Sequence, residues 1–338
     1  MSQDIVLSVK NLSVVFHTPD GDVIAVNDVS FELHSGETLG IVGESGSGKS
    51  VTASSLMRLN NSSTASTNGS IVVSGVDILT ASEDEVRHLR GSEVAMIFQD
   101  PLSALNPYYT VGKQIAEAYL VHHPEASKTD ARRITLEMLK KVGIPNPEKR
   151  IDEYPHQFSG GMRQRIVIAI ALINNPKVLI ADEPTTALDV TVQAQILDLI
   201  KDLQAEFNMA VILITHDLGV IAESAQNVLV MYAGRIVERS TVNALFSEPT
   251  HPYAWGLLGA VNSLETSGRG ALATIPGSPP SLIALPSGCS FNPRCAFVSE
   301  ICTIEVPMLR SMGSQGSVTA CHLSGDEIQL QGRKAVAQ

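Results

Sequence analysis

Eight consecutive residues, Gly43-Glu44-Ser45-Gly46-Ser47-Gly48-Lys49-Ser50, have types and spacing that could bind phosphate. They fit G-x-x-x-x-G-K-[ST], in which glycines let the backbone fold tightly and aim several N–H groups inward. Lys49 would reach the β- and γ-phosphates of a nucleotide, and the Ser50 hydroxyl would bind Mg²⁺. Three further stretches put a polar group where such chemistry needs one. Asp182 follows the apolar run Val178-Leu179-Ile180-Ala181 and can hold Mg²⁺ through water; Glu183, one residue on, can polarise the attacking water. His216 follows Val211 to Thr215 and could contact a γ-phosphate. Gln99 follows Val94 to Phe98 and could sense both metal and water. A glutamine after a strand is ordinarily a capping residue, and a lone histidine is ordinarily structural. The order of all four sites behind a phosphate loop is what points to nucleotide chemistry.

The elements that must position these residues are legible as periodicity. Leu39 to Val42 reads as a buried strand leading into the loop, and Val51 onward as a helix leading out, whose N-terminus adds partial positive charge toward the phosphates. In a parallel α/β sheet the strand C-termini converge on one rim, where ligands bind. Residues 5–35 instead alternate apolar and polar, with turn signals at Pro19-Asp20-Gly21-Asp22 and Ser35-Gly36, and predict an antiparallel sheet. Residues 60–70, rich in Asn, Ser and Thr, predict a loop before a strand over Gly69 to Val76. An acidic helix starts at Ser82, and residues 110–145 read as helical, with Gly143 and Pro145 as the stop. A helix opens at Ser159-Gly160-Gly161, another spans Val190 to about Phe207, and a hairpin turns at Ala233-Gly234. After about residue 262 the composition shifts: Gly, Pro and Ser dominate Gly268 to Gly288 as a linker, a small cysteine-bearing module follows, and the last dozen residues read as disordered.

Composition bounds the partners. The 338 residues are 44% apolar, enough for a real core, and carry a formal charge of −11 with a pI near 5.3. That balance argues against a nucleic-acid binder, which would show a basic surface. Met1-Ser2-Gln3-Asp4 lacks the basic residues and long apolar core of an export signal. The longest apolar run, Ile166 to Ile173, is eight residues, against about 20 for a membrane span. The chain is therefore expected to be soluble or peripheral.

Ser159-Gly160-Gly161-Met162-Arg163-Gln164 resembles the signature motif of ATP-binding-cassette (ABC) ATPases. Val178 to Glu183 is similar to their second nucleotide motif and Thr186-Ala187-Leu188-Asp189 to their dimer loop. Gln99 and His216 fall where their glutamine loop and switch histidine lie, and Phe16 is similar to the aromatic that stacks on adenine, a core phenylalanine being the other reading. The resemblance covers about residues 5–262 and implies an α/β fold: a P-loop core with an antiparallel β-subdomain and a helical subdomain over about 100–158, making an ATPase domain of residues 1–262, followed by a small C-terminal extension, residues 263–338. It implies ATP and Mg²⁺ as ligands and a head-to-tail pairing of two cassettes. In that pairing Ser159, Gly160, Gly161 and Asp189 of one subunit close on the nucleotide of the other. The family's usual Leu and Gln before and within the signature are Phe158 and Met162 here, which is expected to affect partner preference only.

Within the family, Met162-Arg163-Gln164-Arg165, Gln99-Asp100-Pro101 to Asn106-Pro107, Thr185 to Gln195 and His251-Pro252-Tyr253 resemble the ATPase subunits of oligopeptide/dipeptide importers. The resemblance implies a subunit on the cytoplasmic membrane face, bound to two transmembrane permease subunits. It also implies a second ATPase, identical or not, and an extracytoplasmic solute-binding protein that works with the complex. Nickel and opine importers share parts of the pattern. Soluble ABC ATPases of DNA maintenance usually separate loop and signature widely, whereas only about 60 residues lie between Gln99 and Ser159.

Cys289, Cys295, Cys302 and Cys321 are the chain's four cysteines, all in the tail. They lack the C-x-x-C spacing usual for zinc. The tail resembles importer extensions that carry a [4Fe–4S] cluster, for which four thiolates suffice; zinc and free thiols remain the alternatives. Any such site is expected to stand apart from the nucleotide core.

Overall fold

The computed structural model describes residues 4–100, 104–186, 188–266, 275–312 and 316–336. Along the chain run β1 (Ile5–Thr18), β2 (Gly21–His34), β3 (Thr38–Val42), α1 (Lys49–Leu56), β4 (Ala65–Val73), β5 (Val76–Asp77), α2 (Glu83–Ser92) and β6 (Val94–Ile97). Helices α3 (Val111–His122), α4 (Lys128–Lys141), α5 (Pro147–Arg150) and α6 (Gly160–Leu172) follow, then β7 (Val178–Asp182), α7 (Val190–Phe207) and β8 (Ala210–Ile214). The rest is α8 (Leu218–Ser224), β9 (Asn227–Tyr232), β10 (Arg235–Thr241), α9 (Val242–Ser247), α10 (Pro252–Thr266), α11 (Glu300–Ile304), β11 (Arg310–Met312), β12 (Ser317–Thr319) and α12 (Gly325–Val336). No helix among the described residues is long and apolar enough to cross a membrane.

The chain forms two compact units. The first gathers residues 1–8, 32–37 and 72–212. Its β6 and β7 pair in parallel, Val94 opposite Val178 and Ile97 opposite Ala181. Every residue of β6 and β7 is buried, as strands covered on both faces must be, and this is why both read as apolar runs, β7 up to its closing Asp182. The helices of this unit start at polar caps. Ser82 and Glu85 make a reciprocal capping box on α2, Thr110 accepts from Lys113 N–H on α3, and Ser127 from Asp130 N–H on α4.

The second unit gathers residues 9–31, 38–71 and 213–338. Strands β2, β1 and β4 lie side by side in that order, and β11, β12, β10, β9 and β3 in another run. β3 and β9 are parallel, Val42 opposite Val230, and β9 and β10 form the expected hairpin. Ala233 and Gly234 both have positive φ, 47° and 80°, the requirement of a tight primed turn.

Two expectations change. Residues 60–70 are not all loop: β4 begins at Ala65, because position beside β1, reinforced by His17 N–H donating to the Thr64 carbonyl at 2.8 Å, outweighs weak strand propensity. The last dozen residues are helical as far as they are described. Ser324 and Glu327 form a reciprocal cap on α12, and Ile328, only 3% exposed, anchors it. At the linker, α10 passes through position 262, so the composition shift is no break in secondary structure. Residues 275–288 carry neither helix nor strand.

Candidate functional site

In the second unit, β3 delivers the phosphate loop and α1 leaves it. Gly43 has φ 154° and a Cβ there would stand 2.2 Å from the Met231 carbonyl oxygen; Gly48 has φ 100° and its Cβ would meet the Ala25 carbonyl oxygen at 2.4 Å. Only glycine fits either place, so the spacing seen in the sequence is enforced by backbone on both sides. Lys49 is buried, and its Nζ donates to the carbonyls of Gly43 at 2.8 Å and Glu44 at 3.0 Å, holding the ammonium inside the loop's curve. Ser45, Gly46 and Ser50 are exposed, Ser47 is buried, and no side chain caps the N-terminus of α1. The loop thus offers backbone N–H groups and one ammonium to an anion.

The other predicted residues of this unit are His216 and Phe16. Thr215 N–H donates to the Ile41 carbonyl at 3.3 Å, which fixes the start of the exposed His216 beside the strand that carries the loop. Asp217 then caps α8 through the N–H of Gly219 at 2.8 Å. Phe16 is half-buried on β1.

In the first unit, the end of β7 carries Asp182, buried, and then Glu183, whose φ of 47° is left-handed. Such backbone in a non-glycine residue is costly, about 1–3 kcal/mol, and is retained where the surroundings over-determine it. Gln99 Nε2 donates to Glu183 Oε2 at 2.8 Å, and Thr186 Oγ1 donates to the same oxygen at 2.8 Å. Gln99 is exposed, so its anchor is this bond rather than burial.

The signature segment opens α6 in the same unit. Ser159 is its N-cap, its Oγ accepting from Met162 N–H at 3.4 Å, and Gln164 Nε2 donates to the Pro184 carbonyl at 2.6 Å, tying α6 to the turn that holds Glu183. A Cβ on Gly161 would stand 2.7 Å from Val192 Cγ1, which sets how closely α6 approaches α7. Asp189 caps α7, accepting from Val192 N–H at 3.0 Å. Ala187 lies outside the described residues. The two departures from the usual signature share one partner: Arg150 stacks 5.4 Å above the buried Phe158 ring and donates to Met162 Sδ at 3.6 Å. Their spacing in the sequence carries no sign of that arginine.

Mg²⁺ takes oxygen donors and keeps waters and substrate phosphates, so one or two protein oxygens suffice. Ser50, exposed in the first turn of α1, and the buried Asp182 carboxylate are donors of that kind. The tail cysteines fit a metal less well. Burial pushes the Cys289 thiol up and raises Cys295 and Cys321 to about 11. Among the described residues no group of three or more His, Cys, Asp or Glu is placed to hold a metal ion. The geometry lends the iron–sulfur expectation no support.

The tail does not stand apart from the loop, as the sequence suggested. Arg294, on a 3₁₀ turn at Asn292–Arg294, donates from Nη1 and Nη2 to the two carboxylate oxygens of Glu44 at 2.6 and 3.0 Å. Tyr253 accepts the Glu44 N–H at 2.7 Å through its hydroxyl. Tyr253 belongs to His251-Pro252-Tyr253, whose N-terminal side is held by Glu238: the carboxylate accepts from Thr250 N–H at 3.0 Å and His251 N–H at 2.8 Å. Burial pushes Glu238 up to about 7 and lowers His251 to about 3, so the imidazole is neutral.

A model of the ABC transporter family matches residues 26–186, and one of the oligopeptide/dipeptide transporter C-terminal region matches residues 237–302. The oligopeptide transport ATP-binding protein OppD of Escherichia coli (strain K12) is 51% identical over 96% of this chain and 95% of its own length. OppD of Bacillus subtilis (strain 168) is 49% identical over 98% of this chain and 92% of its own. The dipeptide transport ATP-binding protein DppD of Lactococcus lactis subsp. cremoris (strain MG1363) is 51% identical over 91% and 88%. Among solved structures, the dimeric post-hydrolysis cassette MJ0796 bound to ADP and Pi superposes with a TM-score of 0.62 at 26% identity, covering 70% of this chain and 98% of its own. Another, cbiO1 from Clostridium perfringens, part of the ABC transporter complex cbiONQ, has a TM-score of 0.61 at 27% identity, over 72% and 91%.

Proposed function

Because this chain belongs to the ABC transporter family, in its oligopeptide/dipeptide transport ATP-binding branch, we propose that it hydrolyses ATP to energise import of di- and oligopeptides through a membrane permease. The observation that carries the hydrolytic reading is Glu183: a carboxylate directly after a buried Asp, in strained left-handed backbone, pinned by Gln99 and Thr186.

In this reading Gly43 to Ser50 cradle the phosphates through backbone N–H groups, with Lys49 on the β- and γ-phosphates. Ser50, Asp182 and Gln99 would hold Mg²⁺, which when bound neutralises charge developing on the phosphates. Glu183 orients the attacking water and takes its proton, Gln99 and Thr186 fix where the carboxylate points, and His216 contacts the γ-phosphate. Phe16 stacks on the adenine. Ser159, Gly160, Gly161 and Asp189 act on the nucleotide of a second ATPase subunit; the similar cassette MJ0796 was captured as a dimer. Residues 1–262 form the cassette, with 100–158 gripping the permease, and 263–338 the importer-type extension. The complex holds two permease subunits on the cytoplasmic membrane face and works with an extracytoplasmic solute-binding protein. A peptide cargo is supported by the C-terminal region match at residues 237–302.

A [4Fe–4S] centre on Cys289, Cys295, Cys302 and Cys321 stays a proposal on donor chemistry alone. Its support is the donor set itself, four thiols confined to one tail.

Reconstitution tests the transport reading. The chain alone, dilute and monomeric, should hydrolyse ATP slowly. Assembly with permease, partner ATPase and solute-binding protein in liposomes should raise the rate and drive accumulation of labelled peptide. Full activity in the monomer refutes the shared site, and accumulation of nickel or an opine in place of peptide moves the chain to those importers.

A further inference from the structure

Glu44 occupies the first variable position of the phosphate loop and is held at three points. Its N–H donates to the Tyr253 hydroxyl at 2.7 Å, its carbonyl accepts from Lys49 Nζ at 3.0 Å, and its carboxylate is clasped by Arg294 at 2.6 and 3.0 Å. The Arg294 side chain is 5% exposed and that of Glu44 27%. Arg294 is itself located by Nε donating to the Pro276 carbonyl at 2.9 Å and Nη1 to the Tyr232 hydroxyl at 3.3 Å. This is a built socket: the planar fork matches a carboxylate bidentately, and two further N–H donors are used on fixed acceptors.

The socket resolves an electrostatic conflict. A loop that must receive a polyphosphate carries a half-buried carboxylate, and two like charges in a partly desolvated place repel strongly. We propose that Arg294 is the charge-compensating and positioning residue of the phosphate loop: an arginine of the C-terminal extension that sets nucleotide affinity by neutralising and orienting Glu44. The proposal rests on the reading of Gly43 to Ser50 as the nucleotide loop. It gives the extension a direct role in nucleotide binding, and it makes that role depend on order in the turn between Cys289 and Cys295, where Asn292 N–H donates to the Cys289 carbonyl at 2.9 Å and Arg294 N–H to the Phe291 carbonyl at 3.0 Å.

Two variants that keep the side-chain stem separate charge from packing. Arg294→Met should weaken binding of the fluorescent analogue TNP-ATP by the full chain, with Mg²⁺, about tenfold, the effect of one uncompensated nearby charge. Arg294→Lys should lose much less. Adding Glu44→Gln to Arg294→Met should recover part of the loss, because no charge is left to compensate. In the assembled transporter the Arg294→Met loss should fall on KM for ATP more than on kcat. Unchanged TNP-ATP binding in Arg294→Met overturns the proposal, as do equal losses in both variants with no recovery from Glu44→Gln. Lys49→Ala is the control: lost binding there with intact Arg294→Met binding sinks only the compensation, whereas intact binding in both sinks the phosphate-loop reading as well.

Discussion

Gln99 Nε2 and Glu183 Oε2 are joined at 2.8 Å, so a residue after β6 and a residue after β7 share one carboxylate oxygen, with Thr186 Oγ1 as second donor to it. Two donors on one oxygen fix the direction of the Glu183 carboxylate, whose backbone takes a left-handed φ of 47°.

Glu183→Gln should therefore keep ATP binding and lose hydrolysis by at least about 10²-fold, the ordinary range for loss of a general base. An amide preserves size and hydrogen-bonding reach but cannot take the proton. Steady-state phosphate release by the assembled transporter, beside TNP-ATP binding by the same variant, separates the two effects. Near-normal turnover would remove Glu183 from the chemistry.

The Glu238 carboxyl makes stability fall as pH rises through neutrality. Its folded-state value is pushed up from 4.5 to about 7 by burial, so its contribution is full below 4.5 and lost as pH climbs through about 7. His251, lowered from 6.5 to about 3, acts oppositely: its contribution is full above 6.5 and lost as pH falls toward about 3. Between pH 6.5 and pH 8 the residual His251 effect opposes that of Glu238, and comparison with a Glu238 variant isolates the carboxyl's share. Denaturant unfolding between pH 6.5 and pH 8 should show the wild-type chain losing about 1 kcal/mol that Glu238→Gln does not lose. A Glu238→Gln slope equal to wild type would place the carboxyl's titration elsewhere.

If the tail cysteines hold one [4Fe–4S] cluster, protein purified without oxygen should be brown. It should absorb broadly near roughly 400 nm and carry about four irons per chain. Cys295→Ser should remove the colour and loosen the small tail module, since metal binding and folding are coupled there. Arg294 is the preceding residue, so the same variant should also weaken TNP-ATP binding, in the direction of Arg294→Met. A colourless, iron-free anaerobic preparation with four titratable thiols identifies free cysteines, and one bound zinc per chain identifies the zinc alternative.

The sequence by itself determined the parts whose physics is local. Fully buried strands read as predominantly apolar runs, so β3, β6, β7 and β8 were visible, and with them the candidate positions Gly43, Gln99, Asp182-Glu183 and His216. Helix starts at Ser159 and after Asp189 were visible because a cap bonds three residues along its own chain. Ser324-x-x-Glu327 carried the same signal for α12 and was open to the same reading. Only tertiary structure decided that Gln99 and Thr186 converge on one oxygen of Glu183, that Arg150 serves both Phe158 and Met162, and that Arg294 reaches Glu44 across 250 residues of chain. Each of these is a side-chain contact between groups brought together by folding, and charge pairing leaves no period, spacing or composition in the sequence. The strand start at Ala65 belongs with them: Ala65, Asn68 and Gly69 are poor strand formers, and the neighbouring β1 supplies the hydrogen bonds that make the segment a strand.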